Sequence, residues 1–232
     1  MNPGNVRPHT SSFLNYLSEP QRGLMVDSCV QVRLERGEEL NTAGLPIEQV
    51  YFPITSFASF KTKTSDFKSI EVGLIGSEGM LGASVVLGNR NGLMTTTVRQ
   101  SGSALCMATD LFEEFVNRNV QIRKLVLNYL YVLMQQFGQR CACNRFHMVK
   151  QRLAHWLLIT QDRTPTKHLN LTHDFLAQLL GVRRSAVTIA AGIMMQQGTI
   201  THYRGKIVVV SREALEKISC GCYRHAIKVY NK

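Results

Sequence analysis

The spacing of apolar side chains changes period once along this chain, and that change limits the fold more than any other feature. Between Cys29 and about Ala108 the apolar residues alternate in short runs. Val30, Val32 and Leu34 are interleaved with Gln31 and Arg33, and similar runs follow at Gln49 to Pro53, Phe57 to Thr62, Ser69 to Ile75, Thr95 to Gln100 and Ala104 to Met107. Turn residues separate them: Gly37, Gly44, Gly76 to Gly79 and the Gly88-Asn89-Arg90-Asn91-Gly92 run. A period of two in many short runs predicts antiparallel strands closed into a barrel or sandwich. After Asp110 the period becomes three to four, which predicts helices. Strands collected first and helices collected later give an α+β chain rather than alternating βαβ units.

Before the strands, a polar arm leads to a short helix expected around Phe13 to Met25. After them, Leu111 to Asn117 reads as a short helix and Val120 to Ala142 as a long one. Ile122, Val126, Tyr129, Leu133 and Phe137 form a single apolar stripe on the long helix. Such a stripe serves intrachain packing or a dimer seam, and periodicity does not choose between them. A third helix is expected at His147 to Gln161, followed by a polar break at Asp162 to His168. Next come helices at Thr172 to Leu180 and Arg183 to Gln197. Strands at Thr199 to Tyr203 and Lys206 to Val210 follow, then a helix beginning at Ser211. The expected division is residues 1–118 as a sensor-like β domain, 119–144 as the long helix, and 145–232 as the C-terminal domain.

Charge separates the same regions. Up to Asn144 the 13 Lys and Arg nearly balance 12 Asp and Glu, whereas from Arg145 onward 14 basic residues face only four acids. An excess of that size confined to one domain is the electrostatic footprint of a polyanion binder. No basic amphipathic helix with exposed aromatics stands out, so nucleic acid is favoured over a membrane surface. The start of the chain is polar, without the apolar core of a secretory signal, and the apolar stretch Leu125 to Met134 is too short to span a bilayer. A cytoplasmic protein with reduced thiols is expected.

Within the basic region, Ala177, Gly181 and Val187 have the spacing of a helix-turn-helix. Ala177 is small where a second helix must cross closely. Gly181 suits a turn needing positive φ, and Val187 can plug the interhelical angle. Thr172 is a candidate N-cap. Arg183, Arg184, Ser185 and Thr188 then occupy the N-terminal end of the second helix, where base edges and phosphates are met. Arg204 and Lys206 would form the tip of a wing contacting phosphates. An ordinary helical hairpin accounts for the apolar positions but leaves this cationic cluster unexplained.

These features together resemble the Crp/Fnr family of bacterial transcription regulators. The resemblance is carried by Arg36-Gly37-Glu38, Gly44, Val50-Tyr51-Phe52-Pro53 and Gly79-Met80-Leu81-Gly82 in the first half. In the second it is carried by Gln151-Arg152-Leu153-Ala154, Leu171-Thr172, Ala177 to Val182, Arg184 and Val187. It implies a cupin-like, cyclic-nucleotide-binding-like β-roll, a long dimerisation helix and a winged helix-turn-helix. It also implies a homodimer on a near-palindromic duplex DNA site, with RNA polymerase as a further partner. The effector pocket would involve Gly79, Met80, Leu81, Gly82, Thr95 and Thr96. Cyclic-nucleotide-binding relatives hold the ribose with a Glu where Met80 stands, and the cyclic phosphate with an Arg-Ser pair where Met94-Thr95 stands. Loss of the Arg removes a bidentate, charge-assisted contact, so cyclic AMP is not expected to bind. Arg90 and Arg99 are the nearby cations that could replace it. Oxygen sensors of the family carry several N-terminal cysteines, and none precedes Cys29 here. Family recognition helices often read Arg-Glu-x-x-Ser/Gly-Arg. Here the run is Arg184-Ser185-Ala186-Val187-Thr188-Ile189, so a different half-site is expected.

Two Cys-x-Cys pairs remain, Cys141 with Cys143 and Cys220 with Cys222, followed by His147 and His225 respectively. Reduced thiols without a cofactor are the expectation. The alternative is a redox- or metal-responsive site, should the C-terminal tail fold back toward the long helix. Catalysis is not expected: no Ser/His/Asp set, metalloprotease helix motif or phosphate-binding glycine loop is present.

Overall fold

The structure, a computed structural model, describes residues 11–66, 68–163, 168–203 and 206–224. It divides into two compact units, residues 1–58 with 75–130 and residues 59–74 with 131–232. Mixed helix and antiparallel sheet run through both, as the change of period requires. No helix among the described residues is long and apolar enough to cross a membrane.

The first unit opens with a 3-10 turn, Ser12–Tyr16, and helix α1, Glu19–Asp27. The single helix expected over Phe13 to Met25 is therefore broken. Pro20 sits in the first turn of α1, where its missing N–H costs nothing, and Leu17 and Ser18 before it are extended. Strands β1 (Val30–Leu34), β2 (Glu39–Asn41) and β3 (Gln49–Pro53) follow, and most of β4 (Phe57–Lys63) and β5 (Ser69–Ile75) belongs to the second unit. After a 3-10 turn at Ala83–Leu87 come β6 (Thr95–Gln100), β7 (Gly102–Ala108) and helix α2 (Thr109–Arg118). In the antiparallel sheet β1-β7-β3, Val30 lies opposite Cys106 and Phe52 opposite Leu105. β2 pairs with β6 through Glu39 and Thr97, with a shift of register before Asn41 and Thr96. Leu34, Val98 and Ala104 form one buried cluster, and Phe13, Phe52, Phe112 and Tyr129 another through ring contacts of 5.2 to 6.2 Å.

The long helix α3, Val120–Phe146, passes from the first unit into the second. Its apolar stripe faces the protein interior: Ile122, Val126, Tyr129 and Leu133 are buried. Intrachain packing accounts for that stripe. A second line, Leu127, Tyr131 and Met134, lies exposed, with Met134 71% accessible.

In the second unit, β4 and β5 are neighbouring strands closed by the Thr64 N–H donating to the Lys68 carbonyl at 2.8 Å. Helices α4 (Val149–Asp162), α5 (His173–Leu180), α6 (Arg184–Gln196) and α7 (Arg212–Ile218) form the helical core. Leu153, Leu157, Leu158, Leu176, Leu180, Val187, Met194 and Leu215 are essentially inaccessible in it. Each such side chain contributes about 1.5–3 kcal/mol on burial, and this is the main force holding short helices that would not persist alone. A three-stranded sheet, β8 (His168–Leu169), β10 (Lys206–Val209) and β9 (Ile200–Tyr203) in that order, completes the unit. Ile207 at its centre lies opposite both Leu169 and His202. Strand β8 falls where a polar break was expected. Two residues are too few to show a period in sequence.

Candidate nucleic-acid interface

Helix α5 begins as its sequence dictates. The Thr172 side chain accepts the Phe175 N–H at 3.2 Å, satisfying an amide that the helix leaves unpaired, and Asp174 lies at the positive end of the dipole. The helix stops at Gly181, whose φ of +61° is left-handed, and the Val182 N–H returns to the Ala177 carbonyl at 3.1 Å. With the chain reversed, α6 starts directly after Arg183. Ala177, Val187, Ala190 and Met194 close the angle between the helices and are buried. Arg152 of α4 locks the turn from below: its Nη1 donates to the Leu180 carbonyl at 2.8 Å and to Asn144 Oδ1 at 2.9 Å.

Val187, Ala190, Ala191 and Met194 take the inner face of α6, and the polar residues of its first turns face out. Arg183, Arg184, Ser185 and Thr188 are all exposed at the N-terminal end of α6. Arg184 pairs across the turn with Asp174 at 3.5 Å, and the Thr188 hydroxyl donates to the Arg184 carbonyl at 3.1 Å. Lys206 is exposed at the start of β10. Arg204 lies outside the described residues.

Three residues of this face were not singled out from sequence. Ile189 is 66% exposed, where the family pattern carries its second Arg. His173 Nδ1 sits 3.1 Å from the Thr188 hydroxyl, and its ring lies 5.3 Å from that of His202 on β9. Burial, helped by the neighbouring His202 and Arg184, holds His173 below the usual histidine range. The two histidines thus join α5, α6 and the β9–β10 hairpin on one side. An isolated His has no periodic signature, so nothing in the sequence marked either one.

The residues assigned to an effector pocket are occupied by packing in the first unit. Met80 and Leu81 are fully buried, and the Leu81 and Tyr51 backbones exchange hydrogen bonds of 2.8 and 3.1 Å. Tyr129 donates its hydroxyl to the Met80 carbonyl at 2.9 Å and lies so close to Gly79 that a β-carbon there would meet it at 2.6 Å. Gly82 has a φ of +87°, and Thr95 and Thr96 are buried. Arg90 is committed to Asp110 at 2.6 Å and to Glu113.

The cysteines separate into two sorts. Cys29 and Cys106 belong to the first unit, where burial pushes the Cys29 thiol up to about 12 and raises Cys106 as well. In the second unit Cys143, Cys220 and Cys222 come together with His147, while Cys141, two residues before Cys143, is exposed and outside the group. Hydrogen bonding from Cys220 above all, with Cys222, His147 and Gln139 assisting, holds Cys143 down to about 5. Cys220 and Cys222 are correspondingly raised. His225 lies outside the described residues.

Residues 151–218 match the Crp-like helix-turn-helix domain family. No curated protein sequence matches the chain. The fold is that of FixK2 from Bradyrhizobium japonicum, with a TM-score of 0.72 at 15% identity over 83% of this chain and 98% of that one. It is also similar to TTHA1359, a Crp/Fnr-family regulator from Thermus thermophilus, with a TM-score of 0.67 at 18% identity over 82% of this chain and 98% of that one. The c-di-GMP-responsive regulator CLP from Xanthomonas campestris gives 0.66 at 14% identity, over 84% of this chain and all of its own.

Proposed function

We propose that this chain, a Crp/Fnr-family transcription regulator by its helix-turn-helix domain and its fold, binds a near-palindromic duplex DNA site as a homodimer. The observation that carries the reading is the outward face of α6. Arg183, Arg184, Ser185, Thr188 and Ile189 are presented together at its N-terminal end, on a support whose inner face is fully buried. That arrangement enters the major groove, with Arg184 pairing a guanine and Ser185 and Thr188 reaching bases or phosphate. Ile189 replaces a guanine-reading Arg by an apolar branched side chain, which suits a thymine methyl group. The half-site is then expected to be richer in A·T pairs at that position than one read by two arginines. Lys206, with Arg204, supplies the wing contact to phosphate. Residues 145–232 act as the DNA-binding part and residues 1–118 as the sensor-like part.

Dimerisation is assigned to the long helix, residues 119–144, through its exposed line Leu127, Tyr131 and Met134, because its other stripe is used within the chain. Replacing Met134 by Glu should give monomers in sedimentation that keep the parent's helix content, because Met134 is exposed within the chain. The role is regulatory and non-catalytic, in the cytoplasm, with RNA polymerase as a further partner at the promoter. The filled surroundings of Met80 support an effector other than cyclic AMP, or none.

Selection of bound sequences from random duplex DNA tests the reading. Two inverted half-sites with centres about one helical turn apart are expected. Lys206→Ala should weaken binding on all sequences and reduce its salt dependence by about one unit of slope. No enrichment over random DNA, or a single half-site bound by a monomer, would overturn it.

A further inference from the structure

We propose that Cys143, His147, Cys220 and Cys222 form a four-coordinate site for one thiolate-preferring divalent metal ion, zinc(II) by class. The four ligand atoms, three sulfurs and one imidazole nitrogen, all lie within 4.8 Å of one another. Tetrahedral zinc, with bonds of about 2.3 Å to sulfur and about 2.0–2.1 Å to nitrogen, sets its ligand atoms roughly 3.5–3.8 Å apart. The group therefore needs to contract by about 1 Å at its widest, within reach of side-chain rotation. An iron–sulfur cluster spreads its ligands over two or more metal atoms and needs them further apart. The spacing favours a mononuclear site.

The surroundings are those of a ligand set rather than of stray thiols. Gln139, one turn before Cys143 on α3, donates its side-chain amide to Cys222 Sγ at 3.1 Å and to Cys143 Sγ at 3.7 Å. Cys220 Sγ lies 3.6 Å from His155 Nδ1. Such outer contacts orient the ligands and fix their charge. Loading a dication onto three thiols and a neutral imidazole expels the thiol protons and leaves the site with one net negative charge. Arg152, buried and lining the same cavity as Cys143 and Cys220, carries the compensating positive charge.

The position of the site gives it a task. Cys143 and His147 stand at the end of α3, and Cys220 and Cys222 follow α7, so the metal closes a loop that encloses α4 to α7. Closing that loop restrains the unfolded domain, and the binding energy becomes folding energy of the helix-turn-helix domain. Arg152 reaches from the metal site to the Leu180 carbonyl at the turn, so the same residue answers to the metal and holds the reading head. The neighbouring Cys141 is no ligand.

Metal analysis of the full-length protein, purified without oxygen from cells supplied with both zinc and iron, tests the site. About one zinc per chain is expected, without acid-labile sulfide. Cys143→Ser, Cys220→Ser, Cys222→Ser and His147→Ala should each lose most of it, whereas Cys141→Ser and Cys29→Ser should keep it. Titrating the unmutated protein with a mercurial keeps the result independent of whether variants fold: zinc should leave in step with three thiols. Cobalt(II) in place of zinc should show the visible bands of a tetrahedral, thiolate-bound ion. A metal-free protein, a disulfide within the group, iron with sulfide, or zinc retained when a ligand is removed would each overturn the proposal. These readouts use free protein, so they stand or fall separately from DNA binding.

Discussion

Two stretches of this molecule carry family-like glycine motifs, and they are used in opposite ways. Around Gly79 to Gly82 in the first unit, the side chains between the glycines are Met80 and Leu81, and both are fully buried. Around Ala177 to Val187 in the second unit, the apolar residues are buried as well, but a complete row of polar ones is left outside. In the first stretch the side chains between the glycines are core. The second stretch is a frame for polar side chains that do not pack. A motif thus reports the backbone a segment adopts, and the exposed side chains on it report whether the segment still meets a ligand.

The largest effect that would break this comparison comes from placing a carboxylate at position 80. Met80→Glu places an ionisable group where Met80 is 0% exposed, with Arg90 already committed to Asp110 and Glu113. An unpaired buried charge costs about 4 kcal/mol or more, so the melting transition of the first unit should fall steeply. Calorimetry should show no cyclic AMP binding by the variant. Wild-type stability together with new nucleotide affinity would mean that a pocket survives there.

On the outward face the expected effects appear in binding rather than stability. Arg184→Ala should leave the melting temperature nearly unchanged, because the guanidinium is exposed and its partner Asp174 is exposed too. Discrimination between the selected site and its guanine-substituted variants should drop by about 1–3 kcal/mol in competition titrations. Equal losses on specific and random DNA would reduce Arg184 to a phosphate contact and leave base reading to its neighbours.

The same division explains what could be read in advance. β3, β5 and β6 fall where alternation placed them, and α5 and α6 lie within a residue of the caps and turn signals. These elements are encoded locally, by period and by Thr172 or Gly181. The dissolved Phe13 to Met25 helix is legible in hindsight, since Pro20 marks a start rather than an interior. The site features that escaped were those set by tertiary distance. His173 meets His202 across two elements, whereas Cys143, Cys220 and Cys222 are already marked by their Cys-x-Cys spacing and lie together in the second unit. Cys141 alone of the two pairs stays outside that group, because helical positions two apart diverge, whereas His147, one turn after Cys143, shares its face.

Gly181 sharpens the comparison at the level of the backbone. Its φ of +61° costs a residue with a β-carbon about 1–2 kcal/mol, and that β-carbon would also press on the far end of the Ile70 side chain at 2.9 Å. Gly181→Ala should lower the stability of the second unit by that amount in urea unfolding. Gly192, in the middle of α6 with open space around it, should tolerate Ala or gain from it. A Gly181→Ala protein as stable as its parent would show that the turn is not the frame assumed for the outward side chains.

The smallest effect is the most specific to the outer face. In the folded chain His173 resists protonation through burial and the nearby His202 and Arg184, whereas the unfolded chain takes up its proton near pH 6.5. Below that pH the unfolded state binds more protons, so this contribution to stability is complete above about pH 6.5 and is lost as pH falls toward the depressed folded value. DNA bound in the proposed way would act in the opposite direction, since phosphates facing α5 and α6 would favour the protonated ring, and affinity should rise as the pH is lowered. His173→Gln should flatten both slopes, read as unfolding midpoints and as operator affinity between about pH 7.5 and about pH 5.5. If the variant keeps both slopes, the titrating group lies elsewhere. If it loses only the stability slope, His173 packs the hairpin against the helices without facing the DNA.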